Sequence, residues 1–318
     1  VGDTLRGTAR LVASPRVAKG AVEAADRHNR FPYAPAIAAG ALLVEPESFR
    51  LSTETAGDNS YMNLARQADA ERALAQHRAL AHAIHAHARL PLRVFPGDPR
   101  TPDAEFPNNV YGFVPGKLVV GAMRHPERRL ESHRADILEA MAADGRAIER
   151  LDADPAVVSE LTGPVVIDRA RGIGYHGLTE RLNVAGAKAT HAAFGLRLSL
   201  LFRLAPGEYH TNVVMAVLAG RALVLHRESI VDEGVAEAIA AVYAPHVIWL
   251  DDEEKAAFVG NCISLTPDQV WVSATAERGL SHGNRQRLRD AGFTVHTVEI
   301  DEIEKAGGSL RCCIAEIF

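Results

Sequence analysis

Gly307-Gly308-Ser309-Leu310-Arg311-Cys312-Cys313 sets two adjacent thiols directly after a glycine turn, with an apolar, strand-like tail behind them. Glycine admits positive φ and lets the backbone approach a ligand closely. A cation beside a thiol favours the thiolate, the nucleophilic form of cysteine, so Arg311 next to Cys312 suggests a placed nucleophile. Three other constellations set polar side chains against apolar runs. Asp103, Asn108 and Asn109 lie where a loop opens a strand, and two adjacent amides offer donors and acceptors to a planar group carrying N–H and C=O; an Asx-rich turn accounts for the same residues. Glu160 stands just ahead of the apolar stretch 165–168, with an exposed strand-edge carboxylate as the plainer alternative. His210, followed by Thr211 and Asn212, opens another apolar strand, with a satisfied structural histidine as the plainer alternative in a chain of 14 histidines. Together these groups supply a nucleophile, an acid/base and a carboxylate able to hold a cationic carbon centre.

Elements of α/β type must position them. Short strands are expected at residues 41–44, 92–95, 110–114, 118–121, 165–168, 173–175, 198–204, 213–218, 221–225, 247–250, 263–265, 270–272 and 294–299, from apolar runs bounded by turn residues. Alanine-rich residues 65–88 carry helical spacing, and helices are also expected at 131–143, 181–193, 233–243, 251–258 and 277–291. A strand–strand–helix–strand rhythm recurs about five times, which describes an α/β protein. With no linker after residue 41, residues 40–318 are expected to form a single domain. Residues 1–39 read as an extension with a short helix near residues 17–27 and no strand.

Composition narrows the function classes. A 47% apolar, 24% charged chain of net charge −5 is an ordinary globular protein without the clustered basic surface that nucleic acid requires. Three cysteines, Cys262, Cys312 and Cys313, are too few for a disulfide framework. No run approaches the ~18 apolar residues of a membrane span, and no cleavable signal stands at the start. A cytoplasmic setting is expected, with no nucleic-acid or membrane partner and a homodimer as the commonest assembly of soluble chains.

In order, Asp103 with Asn108-Asn109, Glu160 before a strand, His210-Thr211-Asn212 and the terminal Gly307-Gly308-Ser309-Leu310-Arg311-Cys312 resemble the guanidine-modifying (pentein) superfamily of arginine deiminases, dimethylarginine hydrolases, succinylarginine dihydrolases and amidinotransferases. The amidinotransferase-like, citrulline-utilisation-type hydrolases are the nearest in pattern. The similarity extends to Glu54-Thr55-Ala56-Gly57-Asp58-Asn59, Arg128-Arg129-Leu130-Glu131 and Leu178-Thr179-Glu180-Arg181-Leu182-Asn183.

This resemblance implies a five-bladed α/β propeller of ββαβ units around a central active-site channel. It implies that Cys312 attacks the guanidino or ureido carbon of an arginine- or citrulline-like amino-acid derivative, giving a covalent thiouronium-type intermediate. His210 would serve as acid and base, and Glu160 and Asp103 would hold substrate N–H groups. Neither a metal nor an organic cofactor is called for. Alternation along a terminal strand would turn only one of Cys312 and Cys313 to the channel, and the Arg-Cys register selects Cys312. Arg181 and Arg128 or Arg129 are candidate clamps for a substrate carboxylate, or surface ion pairs. Where deiminases usually carry an acid, this chain has Asn109, as dihydrolase-type members tend to; an amide suits a neutral ureido oxygen that a carboxylate would repel. The rival readings are an amidinotransferase with an amine acceptor, a non-catalytic binding module and a cysteine protease.

Overall fold

The computed structural model describes residues 10–12 and 34–318. Its strands and crossover helices follow in chain order: β1 (Arg10–Val12), β2 (Gly40–Val44), α1 (Ala70–Ala83), β3 (Leu92–Phe95), β4 (Tyr111–Val114), β5 (Lys117–Val120), α2 (Ala135–Ala143), β6 (Ala147–Arg150), β7 (Val165–Asp168), β8 (Ile173–Leu178), α3 (Val184–Phe194), β9 (Leu198–Arg203), β10 (Met215–Leu218), β11 (Ala222–His226), α4 (Val235–Ala240), β12 (Val247–Leu250), β13 (Ile263–Thr266), β14 (Gln269–Ser273), α5 (His282–Asp290), β15 (Thr294–Val298) and β16 (Ala315–Ile317).

Among the described residues the strands form five sheets built to one plan. A tight hairpin pairs two strands antiparallel, and a helix then returns the chain to add a third strand parallel to the second, as in β4-β5-α2-β6. The parallel step needs such a crossover, because a hairpin cannot join parallel neighbours. β7-β8-β9, β10-β11-β12 and β13-β14-β15 repeat the plan. The remaining sheet is assembled from distant segments: β2 and β3 are parallel across α1, and β16 supplies the antiparallel partner of β2.

Apolar faces pack between sheets. Leu42 and Val44 meet Phe113 and Leu118, and Val119 packs with Leu161 and Phe194. Leu200 and Phe202 join Leu223 and Leu225, while Val224 and Ile248 join Val270 and Val272. Leu43 shares a cluster with Ile263 and Trp271.

Several sequence expectations change. Residues Arg10–Val12 form a strand parallel to β9 where none was expected; the helix expected near residues 17–27 lies outside the described residues. β6 was not anticipated, since Ala147-Ile148-Glu149-Arg150 is a half-exposed strand with no apolar run. The helix expected over 277–291 is two, Ala274–Gly279 and α5, parted because the Ser281 side chain accepts from Asn284 N at 3.2 Å and caps a new start. His210 does not open a strand: a single helical turn, Thr211–Val214, separates it from β10. Cys312 and Cys313 lie in a 3₁₀ turn, Leu310–Cys313, so strand alternation is not what parts them.

Candidate active site

The chemically capable residues occupy equivalent places in the plan. Asn109 precedes β4, Glu160 precedes β7, His210 and Asn212 precede β10, Asn261 precedes β13 and Cys312 precedes β16. Each lies in the lead-in to the first strand of a hairpin or, for β16, to its counterpart, and local hydrogen bonds fix each lead-in. Phe106 N donates to Asp103 O (3.0 Å) and Val110 N to Pro107 O (3.0 Å) in the first. In the second, Ser159 pairs with Ala122 in both directions, and Asn183 caps α3 while its amide donates to Ala156 O (2.8 Å). In the last, Cys312 N donates to Ser309 O at 2.9 Å.

A narrow cavity is lined by Thr55, Asn59, Asp103, Asn109, Arg128, Arg181, Tyr209 and Cys312, among others. The structure therefore brings Asp103, Asn109, Arg128 and Arg181 together with Cys312, from positions up to about two hundred residues apart. His210 and Glu160 sit behind this lining, buried completely. The His210 ring packs on Tyr209, with centroids 4.3 Å apart, and Tyr209 donates through its hydroxyl to Gly307 O (2.6 Å). His210 Nε2 meets Glu160 Oε2 at 2.9 Å. With Nε2 donating there, Nδ1 carries the lone pair, and among the described residues nothing pairs with it. Asn108 is outside the lining; it pins two lead-ins together, since its amide donates to Thr162 O (3.4 Å) and Thr162 Oγ1 donates to its carbonyl (3.0 Å). Of the arginine pair, Arg128 faces the cavity, held bidentately by Glu131 at 2.9 Å, whereas Arg129 binds the carbonyls of Met123 and Arg124.

Two glycines are dictated by crowding. Gly307 has φ of +76°, and a Cβ there would lie 2.4 Å from Asn59 Nδ2. A Cβ on Gly163 would lie 2.7 Å from His210 Nδ1 and 2.8 Å from Asn109 Oδ1. Leu161, directly after Glu160, takes a positive φ of 44° without being glycine; its full burial in the apolar cluster with Phe194 offsets that strain.

Electrostatics sort the groups. Burial pushes the Cys312 thiol above its ordinary value, outweighing the backbone near Ser309, Asn261 and Arg311. Arg311 favours the thiolate, as expected, but less than the Asn261 amide does, since its guanidinium binds Ile314 O (2.8 Å) and Glu316 (3.0 Å). Burial likewise lowers His210 to about 4 against the pull of Glu160. Burial would raise Glu160, but Arg181 and His210 outweigh it and hold the carboxyl well below its usual range. Asp103 is pushed up by burial, with Arg128 opposing, and its Oδ1 has no partner among the described residues. A buried carboxylate so placed is completed by a cation.

Sequence reading did not find Asn261. Its Oδ1 accepts from Arg311 N (3.0 Å), which fixes the amide so that Nδ2 faces Asn212 O (2.8 Å) and Cys312 Sγ (3.3 Å). Asn212 adds a second amide at 3.7 Å from the sulfur. The one visible signal was a polar residue in the apolar run Val259-Gly260-Asn261-Cys262-Ile263. Because the thiol titrates above its ordinary value of 9.0, iodoacetamide should label Cys312 slowly at pH 7, with a rate rising about tenfold per pH unit to beyond pH 9. Asn261→Ala removes a hydrogen bond that stabilises the anion, so labelling at pH 7 should slow a further ~10-fold. An unchanged rate profile would refute this role.

A buried thiol, an imidazole–carboxylate pair and an unpartnered carboxylate oxygen meet around a small cavity carried on five mixed α/β sheets, the parts that cysteine chemistry on a small cation would use. The chain belongs to the N,N dimethylarginine dimethylhydrolase family, whose eukaryotic form matches residues 45–318. It is 26% identical over 264 residues to the N(G),N(G)-dimethylarginine dimethylaminohydrolase of Mycobacterium tuberculosis, covering 81% of this chain and 80% of that one. Among solved structures it is similar to the N-terminal domain of ArgZ, a cyanobacterial arginine dihydrolase captured with substrate, at TM-score 0.75 and 19% identity over 87% of this chain and 98% of that one. A dimethylarginine dimethylaminohydrolase variant holding an adduct with S-methyl-L-thiocitrulline matches at TM-score 0.70 and 20% identity, over 88% of this chain and all of the other (100%).

Proposed function

We propose that this protein is a cysteine-dependent hydrolase acting on the guanidino carbon of arginine-like substrates through a covalent thiouronium intermediate, with release of ammonia or an amine. The observation that carries the reading is the meeting of Cys312, Asp103 and Asn109 on one cavity with the His210–Glu160 pair directly behind it. The family relationship and the arginine-type ligands of similar proteins support the same substrate class.

At rest both the thiol and the imidazole are neutral, because burial raises one and lowers the other. A guanidinium seated against Asp103 brings positive charge next to the sulfur and favours its ionisation. The S–H proton then passes to His210 Nδ1 as the sulfur bonds to the guanidino carbon. The resulting imidazolium, stabilised by Glu160, gives that proton to the departing nitrogen as the C–N bond breaks. Water deprotonated by the same imidazole next attacks the thiouronium carbon; the C–S bond breaks and the thiolate recovers its proton. Glu160 acts through His210, since both of its oxygens are already bonded to His210, Arg181 and Arg124 N.

Asn109 makes a two-step outcome part of this reading, with the ureido product of the first hydrolysis accepted again. Following ammonia, citrulline-type and ornithine-type products from arginine, dimethylarginine, citrulline and N-acylated arginine tests it. Ornithine-type product is expected from the wild type, and Asn109→Asp should stop arginine at the citrulline stage, with second-step turnover reduced at least ~10-fold. Undiminished ornithine release by the variant would remove the role given to Asn109.

The propeller is part of the same proposal: the five sheets stand as blades of one closed ring, residues 40–318 form a single catalytic domain, and residues 1–39 are an extension to it. Support comes from the apolar clusters that join each sheet to the next and the fifth to the first, and from the β16–β2 pairing. A cytoplasmic setting suits a chain whose three cysteines are free and whose proposed site depends on one reduced thiol, Cys312.

A further inference from the structure

Outside the thiol cavity lies a vestibule of about 370 Å³ that shares Asn59, Arg181 and Tyr209 with it. Arg181 stands at the junction, and its fork is fully engaged. Nη1 bonds both oxygens of Glu160 (3.2 and 3.0 Å), Nε bonds Asp58 Oδ2 (2.9 Å), and Nη2 bonds Asp58 Oδ1 and Thr55 O (3.3 Å). The two edges of the guanidinium differ. The inner edge faces a carboxylate with no exposure, whereas the outer edge faces Asp58, whose side chain is 20% exposed. Asp58 belongs to a segment fastened across the vestibule: its carboxylate also meets His125 Nε2 at 3.0 Å, Ser60 Oγ donates to Gly207 O (2.7 Å), and Tyr61 donates through its hydroxyl to Glu208 (2.5 Å).

A planar fork of this kind takes one carboxylate per edge. On its outer edge a protein carboxylate holds the bidentate geometry that a substrate carboxylate would seek. We infer that Asp58 is an internal stand-in for a substrate carboxylate on Arg181, and that it sets the selectivity of the site between guanidines that carry a carboxylate and guanidines that lack one. The inference rests on the guanidine-hydrolase reading. A carboxylate-bearing guanidine must displace Asp58 before it can use Arg181, so part of its binding free energy is lost to that exchange. A decarboxylated guanidine reaches Asp103 and Cys312 with the Asp58–Arg181 pair intact.

Asp58→Asn keeps the shape and removes the ionic competitor. With L-arginine and its decarboxylated analogue (4-aminobutyl)guanidine as a matched pair, the variant's KM for arginine should fall at least fivefold. The KM for the analogue should not fall, and kcat for both should stay within about twofold. His125→Gln, which loosens Asp58 without touching the fork, should move arginine in the same direction by a smaller factor, and serves if Asp58→Asn folds poorly. Glu180→Gln removes a carboxylate from the same vestibule that does not bind Arg181, and should leave the arginine-to-analogue ratio within twofold. The inference is overturned if the ratio is unmoved in Asp58→Asn, if it shifts toward the analogue, or if Glu180→Gln shifts it equally. If the wild type hydrolyses neither guanidine, the functional reading fails. The stand-in role is then decided by calorimetric affinities of the same two ligands for wild type and Asp58→Asn, with the same ratio as criterion.

Discussion

Cys312→Ala should abolish turnover, by about four orders of magnitude or more, while Cys313→Ala keeps kcat within severalfold. Although neighbours, the two thiols face different surroundings. Cys312 lines the cavity and is contacted by the amides of Asn261 and Asn212. Cys313 is not part of the cavity lining and turns its sulfur to Ser309 O at 3.6 Å. Burial, with Cys312 and Glu105 adding to it, pushes the Cys313 thiol far above its ordinary value, which makes it inert. Rapid quench followed by intact-protein mass measurement should show a substrate-derived adduct on wild type and on Cys313→Ala, and none on Cys312→Ala. An adduct on the latter would exchange the roles of the two cysteines.

Glu160→Gln should lower kcat by about 10³-fold with a much smaller change in KM. Tautomer and charge both change: an amide cannot hold His210 Nε2–H as a carboxylate does, nor stabilise the imidazolium that forms during proton transfer. The variant should also lose on the order of 3 kcal/mol of stability, because Arg181 would keep a buried edge without its counter-charge. The pH dependence has a definite sign. The folded-state pKa of Glu160 is depressed below its ordinary 4.5, so its stabilisation is present above that pH and is lost as pH falls through the folded value. Denaturation curves of wild type and variant should therefore differ most near neutrality and converge in acid. A variant that is destabilised yet turns over normally would leave Glu160 with a structural role alone.

The sequence was informative where chemistry is local and silent where it depends on folding. Val165–Asp168 and Val247–Leu250 matched expectation because unbroken apolar strands are legible one residue at a time. β6, an edge strand of mixed character, carries no such pattern. Cys312 and the favourable charge of Arg311 were legible side by side, but the larger stabilising contact was not: Asn261, 51 residues distant, touches the sulfur. Asp58 was hidden for the same reason, since its bond to Arg181 spans 123 residues. Asn108 and Asn109 read as one polar pair, and only backbone geometry sends one into the cavity and leaves the other as a pin.

In the proposed site one group comes from the lead-in to each of the five sheets, which has a thermodynamic consequence. No single sheet contains enough of the site to do chemistry, so the site has no local existence apart from the whole. Fraying of any one unit withdraws a component and silences the rest, so heat inactivation should set in with the least stable sheet, at or before global unfolding. Selection for activity then bears on the stability of all five sheets at once, including surfaces far from any substrate.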